Sequence, residues 1–210
     1  MIIKNSASGA ISATLLILFM AAGLAQSMEN ASLQALPKEE AYKILNDLNE
    51  KNALFPESLM GMSGKYTGLN AENCFGIEPE KGWKLAAECT GKNNYGIEFK
   101  YAGDPSSTRQ IGFIYSSAPF LIADKTMPAG AYAVLANVET LQLSGNTGTF
   151  HSVQNRQVAD MLTEQIPLPS KLDLSLFEAK SPNGPQFTFV QEGRGVFFVL
   201  GENKIPIRKK

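Results

Sequence analysis

The chain has 210 residues, with 19 lysines and arginines against 20 aspartates and glutamates and a single histidine, so its net charge at pH 7 is close to zero. No dense cluster of lysine and arginine stands out before the last three residues, so the sequence lacks the basic surface typical of nucleic-acid binders, and we expect no nucleic-acid partner. One histidine also excludes a zinc site built from several histidines, and we expect no metal and no cofactor.

The first 25 residues have the build of a secretory signal. Lys4 is followed by an apolar run from Ile11 to Leu24 and then by small residues. This run is shorter than the roughly 20 apolar residues of a membrane-spanning helix. We therefore predict a signal peptide over 1–25, cleaved after Ala25, with a cut after Ser27 or an uncleaved anchor as alternatives. The exported protein would be periplasmic or extracellular, with no stable membrane span after cleavage.

Residues 26–63 are predicted to form a linker and one amphipathic helix, over about 38–52. Four apolar residues recur there at helical spacing, namely Ala41, Ile44, Leu45 and Leu48. Pro37 suits the first turn, because the missing N–H of proline has no partner to lose there. The helix would either pack on the main domain or bind a partner.

From residue 64 to residue 210 the apolar pattern changes from helical to alternating, which predicts strands. The predicted runs are Trp83–Cys89, Tyr95–Tyr101, Ile111–Tyr115, Tyr132–Leu143, Leu172–Leu176, Gln186–Glu192, Val196–Leu200 and Lys204–Ile207. Turn residues such as Asn and Gly separate the runs, and no long helical crossover lies between them. We expect a mainly β fold, a single antiparallel domain of meander-type hairpins that forms either a β-barrel or a β-sandwich.

One segment carries both patterns. Residues 155–165 place Val158, Met161 and Leu162 at helical spacing, and Asn155 could cap a short helix. The residues just before them alternate like a strand. We expect a strand followed by a helical turn.

The two cysteines, Cys74 and Cys89, are predicted to form one disulfide. A secreted chain with two cysteines most simply joins them, and their spacing is not that of a redox-active pair. The intervening residues 79–82 would form a turn that brings the cysteines together across neighbouring strands. Closing a loop of this length would contribute about 3 kcal/mol.

Aromatic side chains on the strands are the ligand-binding candidates. They are Trp83, Tyr95, Phe99, Tyr101, Phe113 and Tyr115. On one face of a closed barrel these residues would enclose a small apolar or lipid-like ligand. In a packed sandwich the same residues would be core, and function would lie in loops or in the amphipathic helix.

Signals for catalysis are sparse. The sequence has no nucleophile-elbow, serine-lysine, phosphate-loop or calcium-loop motif. His151 is interpreted as an ordinary strand residue. Paired carboxylates for a glycosidase could come from Glu78, Glu80, Glu88 or Glu98, although acids on strands usually form the solvated face.

The expected function is therefore non-catalytic. Our first hypothesis is an exported binding protein for a small apolar ligand, and the second is a structural or protein-interaction component of the cell envelope. A secreted hydrolase without recognised motifs is the third hypothesis.

Overall fold

A computed structural model describes residues 34–51, 68–89, 108–153, 156–177 and 186–210. Residues Gln34–Lys210 form one compact unit. The predicted signal peptide and the predicted strand Tyr95–Tyr101 lie outside the described residues. Three ligand-binding candidates, Tyr95, Phe99 and Tyr101, therefore stay predictions.

The described elements are one α-helix, two short 3-10 helices and twelve strands. In chain order they are β1 (Gln34–Leu36), α1 (Lys38–Glu50), a 3-10 helix (Ala71–Asn73), β2 (Cys74–Glu80), β3 (Trp83–Cys89), β4 (Arg109–Ser116), β5 (Phe120–Ile122), β6 (Lys125–Met127), β7 (Gly130–Ala136), β8 (Thr140–Val153), β9 (Arg156–Pro167), a second 3-10 helix (Leu174–Phe177), β10 (Phe187–Glu192), β11 (Gly195–Leu200) and β12 (Asn203–Lys209).

The described strands form two antiparallel sheets. The large sheet has the order β1-β2-β3-β4-β7-β8-β9, and the small sheet has the order β10-β11-β12-β5-β6. The expectation of a mainly β, antiparallel fold is confirmed. The barrel alternative is wrong for the described strands, because the two sheets stay open and are arranged like a sandwich.

A shared hydrophobic core lies between the two sheets. The large sheet supplies Trp83, Leu85 and Ile114 to it, and the small sheet supplies Phe187 and Phe198. The rings of Phe187 and Phe198 stack with their centroids 4.8 Å apart. Alternation along the strands explains this core, since successive side chains point to opposite faces of a sheet.

The other face of the large sheet carries a second, smaller core beneath α1. Ala41 and Leu45 of the helix are fully buried there against Ala86, Phe113 and Ala133. Alanines on both sides of this contact let the helix approach the sheet closely. The spacing of Ala41 and Leu45 by one helical turn is the pattern from which the sequence predicted the helix. Within the described residues, no helix is long and apolar enough to cross a membrane.

Two predicted elements have a different secondary structure. The expected helical turn after residue 155 is wrong, because Arg156–Pro167 is one continuous strand paired with β8. The expected strand Leu172–Leu176 is also wrong, because the chain forms a 3-10 turn there and leaves Leu174 exposed. Cross-strand pairing partners decide strand formation, and local spacing does not reveal them.

The run Tyr132–Leu143, expected as one strand, is divided between β7 and β8. The divider is Asn137, whose side-chain oxygen accepts hydrogen bonds from the backbone N–H groups of Glu139 (2.8 Å) and Thr140 (2.7 Å). A short amide side chain that captures nearby N–H groups favours a turn over a continuing strand.

Candidate functional site

The candidate site lies on the face of the large sheet that α1 covers, and we call it the helix-covered face. Its buried members are Cys74, Ala86, Glu88, Phe113, Ala131 and Ala133, and Tyr115 and Leu135 lie half-buried beside them. Residues 38–51 and 68–73 close over this face and are called the cap. Among the described residues, Glu88 is the one carboxyl group on this face that is fully buried.

A β-bulge in the β2–β3 hairpin decides which side chains reach this face. Glu80 pairs with Trp83 beside the turn, but beyond the irregularity the register changes and Cys74 pairs with Glu88. Had the register at the turn continued, Cys74 would stand opposite Cys89. The bulge contains Pro79, which has no N–H for the ladder. A shift of one residue turns every later side chain to the other face.

The predicted disulfide is therefore wrong. Cys74 and Cys89 are both free thiols in the structure. Cys74 lies under the cap, whereas Cys89 lies in the core between the sheets. There the Cys89 sulfur accepts a hydrogen bond from the backbone N–H of Phe187 (3.2 Å). Burial raises the pKa of Cys74 to about 12 and that of Cys89 to about 11. Such thiols are poor nucleophiles at neutral pH.

We expect reductant to leave the stability of the protein unchanged. Because the two thiols face opposite sides of the sheet, no bridge exists for dithiothreitol to break. Thermal unfolding with and without about 5 mM dithiothreitol should give melting temperatures within about 1 °C of each other. A drop of several degrees with reductant would show that the cysteines do pair.

Glu88 has an unusual environment for a carboxyl group. Its Oε1 accepts a hydrogen bond from the backbone N–H of Asn70 (3.0 Å), while its Oε2 has no hydrogen-bond partner among the described residues. The carbonyl oxygen of the same Asn70 accepts from the thiol of Cys74 (3.3 Å). The backbone of one cap residue, Asn70, therefore contacts both Glu88 and Cys74.

Burial shifts the proton affinity of Glu88 strongly. Loss of hydration raises the pKa of its carboxyl group to about 7, and the hydrogen bond from Asn70 offsets only part of that effect. A carboxyl group with a pKa near neutrality exchanges its proton under physiological conditions, as groups in functional sites often do. In the described ranges, no three side chains of His, Cys, Asp or Glu gather closely enough to hold a metal ion.

One of two ion pairs at the rim joins the cap to the sheet, and the other lies within the cap. Lys84 of β3 contacts Glu40 of α1 at 2.6 Å, and Lys38 of α1 contacts Glu72 at 3.4 Å. All four side chains are more than one-third exposed, so solvent screens both pairs and each contributes little to stability. The burial of apolar side chains beneath α1, and not these ion pairs, therefore dominates cap closure.

The predicted aromatic candidates do not share one face. Trp83 lies in the core between the sheets, where its indole N–H donates to Ser116 Oγ (3.0 Å). Phe113 and Tyr115 lie on the helix-covered face. A second bulge, between Gln110 and Gly112, also turns Ile111 away from Phe113 into the core between the sheets. For the described candidates Trp83, Phe113 and Tyr115, the expectation of a common aromatic face is therefore wrong.

Glu78 and Glu80 have ordinary surroundings. Glu78 Oε1 accepts from the N–H of Gly82 (2.6 Å) in the hairpin turn, and Glu80 contacts Lys209 at 3.6 Å. His151 pairs through its backbone with Val158, on a strand as expected. Glu98 lies outside the described residues.

From the sequence, Glu88 was expected on the solvated face, like other acids on strands. The signal that this expectation missed is the neighbour Ala86, a small apolar residue on the same face, which leaves room for a covering helix. The amphipathic helix was predicted, but the sequence does not say which face of the sheet it covers.

Comparison of the chain with protein-family models, with curated proteins and with solved structures finds no match. The functional proposal below therefore rests on the sequence and the geometry of this chain.

Proposed function

We propose that this chain is an exported, non-catalytic binding protein that acts by contact with another protein of the cell envelope. Export is inferred from the signal-like pattern of residues 1–25, and the non-catalytic role from the lack of catalytic motifs. Within the described residues, the aromatic candidates Trp83 and Phe113 are both buried by the protein itself. This burial favours protein contact over an apolar cavity as the mode of binding.

The observation that carries the proposal is the length of the β8–β9 hairpin. β8 pairs with β7 only as far as Gly145, but it continues to Val153 with β9 as its one described neighbour. Residues 146–153 and 156–161 thus form a two-stranded ribbon that extends past the rest of the described sheet. An isolated two-stranded ribbon is marginally stable in water, so a partner surface that packs on it would stabilise it.

The backbone of β9 also suits this role. β9 is twelve residues long and forms the last strand of the large sheet in the described part of the chain. An edge strand presents N–H and C=O groups that can pair with an extended segment of another protein. The expected partner is therefore a protein that adds a strand or packs on the ribbon.

Photo-crosslinking in cells tests this proposal. With benzoylphenylalanine at position 157 of the ribbon, we expect an adduct with one other protein at least tenfold stronger than with the same probe at Ser175, which is exposed in the second 3-10 helix. A ribbonless variant, with residues 147–160 replaced by Asn-Gly, should lose co-purification of that protein but keep its melting temperature.

The second candidate function is binding of a small apolar ligand beneath the cap. It is favoured by the position of Phe113 and Tyr115, which lie together under α1. Native mass spectrometry separates the two functions. A bound lipid-like mass that Phe113→Ala abolishes, without a ribbon adduct, would overturn the protein-contact proposal and support this one.

A further inference from the structure

The carboxyl group of Glu88 lies on the helix-covered face, where it contacts the cap residue Asn70. It is fully buried, and its Oε2 lacks a partner among the described residues. A neutral carboxyl group can be buried in such a site at a modest cost in free energy. An ionised carboxylate with a single hydrogen-bond donor loses far more hydration free energy than that hydrogen bond replaces. The charge state of Glu88 should therefore govern how well the cap closes.

We propose that Glu88 is a proton-operated latch, which holds the cap closed over the large sheet when its carboxyl group is protonated and releases the cap when the group is ionised. The latch contacts the cap directly, since Glu88 Oε1 accepts from the backbone N–H of Asn70. Release lets water reach the carboxylate and uncovers Phe113, which is fully buried in the closed state. The proton passes to solvent.

Other titratable groups on the elements around Glu88 do not account for a pH-dependent release of the cap. Cys74 of β2 stands directly opposite it, and burial keeps that thiol protonated well above neutral pH. Tyr42 of α1 and Tyr115 of β4 pack beside the site as half-buried phenols. The facing segment of β7 contributes Ala131, Ala133 and Leu135, which do not titrate.

The charged groups nearby are paired or directed elsewhere. Lys84 is held by Glu40 and Lys38 by Glu72, both at the rim. Arg109 stands opposite Ala136, whose side chain belongs to the core between the sheets. The other charged residues of α1 and its C-cap are exposed, namely Glu39, Lys43, Asp47, Glu50 and Lys51. None of these described cations lies within salt-bridge distance of the Glu88 carboxylate.

The direction of the pH effect follows from linkage. The pKa of Glu88 is about 7 in the closed state, against an ordinary value of 4.5 for a hydrated carboxyl group. The closed state thus binds the proton more tightly than the open state. Protonation therefore stabilises the closed state fully below about pH 4.5, and this stabilisation declines as the pH rises toward about 7. Between pH 5 and pH 8 the population of the open cap should increase by roughly 50-fold.

Hydrogen exchange of the purified protein, followed by mass spectrometry, tests the latch. After correction for intrinsic exchange, protection of α1 should fall roughly 50-fold from pH 5 to pH 8 in the wild type. In Glu88→Gln, whose side chain cannot ionise, the change should be less than about threefold. Strands β11 and β12, which lie outside the cap, serve as the internal reference and should keep their protection in both proteins.

A matched control is Glu80→Gln, the same substitution at an exposed carboxylate on β2. This variant should retain the full pH dependence of the wild type. If Glu88→Gln does not fold, Glu88→Leu gives the same test, because it is also permanently uncharged. The latch is overturned if wild-type α1 shows no more pH dependence than β11 and β12, or if the uncharged variants keep that dependence.

Discussion

Phe198→Ala is expected to lower the free energy of unfolding by about 4 kcal/mol, because it removes a ring from the middle of the core between the sheets. Phe198 is fully buried. Its ring stacks on Phe187 at 4.8 Å and meets Phe189 edge-on at 6.3 Å. Urea unfolding followed by tryptophan fluorescence measures the loss, since Trp83 belongs to the same core.

The adjacent residue provides the matched control. Phe197 lies on the opposite face of β11, half-buried, with the ammonium group of Lys204 5.0 Å from its ring centroid. Phe197→Ala removes the same atoms outside the core and should cost about 1 kcal/mol. Equal losses for the two variants would contradict the assignment of the faces of the small sheet.

Gly112→Ala is expected to destabilise the protein by about 3 kcal/mol or more, although it adds a single methyl group. A Cβ atom at position 112 would lie 2.0 Å from the carbonyl oxygen of Glu88 and 2.8 Å from Cε1 of Phe187. The carbonyl belongs to the backbone of β3 and cannot move away without distorting the pairing of β3 with β4. The same unfolding measurement detects this loss.

Gly82→Ala is the control for this glycine. Gly82 occupies the β2–β3 turn with a positive φ of 81°, and a Cβ atom there would have no neighbour within 4 Å. Its replacement adds only backbone strain, about 1 kcal/mol. If Gly112→Ala proved no more costly than Gly82→Ala, the close approach of β3 and β4 would be contradicted.

Much of the secondary structure follows from local pattern. The strand Trp83–Cys89 was predicted with its observed bounds, and the strand ending at Glu192 was predicted within one residue at its start. In both segments, apolar residues alternate and Gly-containing turns lie beside them. The short strands β5 and β6 were not predicted, because three residues are too few for alternation to be recognised.

The sequence predicts less well which face of the sheet each side chain occupies, because two bulges interrupt the alternation. One bulge separates Cys74 from Cys89 and removes the expected disulfide. The other separates Ile111 from Phe113, so two residues predicted to share a face belong to different cores. A bulge changes the register through pairing with a neighbouring strand, and the sequence of one strand does not encode that pairing fully.

The candidate site shows the same difficulty. Glu88 lies on a strand as expected, but its burial depends on the cap, whose residue Asn70 contacts it. Burial in the contact between the cap and the sheet changes an ordinary acid into a group with a raised pKa. Such a contact joins segments more than thirty residues apart, as Glu40 and Lys84 show, and periodicity within one segment cannot reveal it.

The opposite orientation of Cys74 and Cys89 makes β2 and β3 a common wall between two cores, with one thiol in each. Alkylation of Cys74 reports separation of the helix from the sheet, and alkylation of Cys89 reports separation of the two sheets. The protein thus contains two native thiols whose alkylation distinguishes release of the helix from separation of the two sheets, without any engineered label.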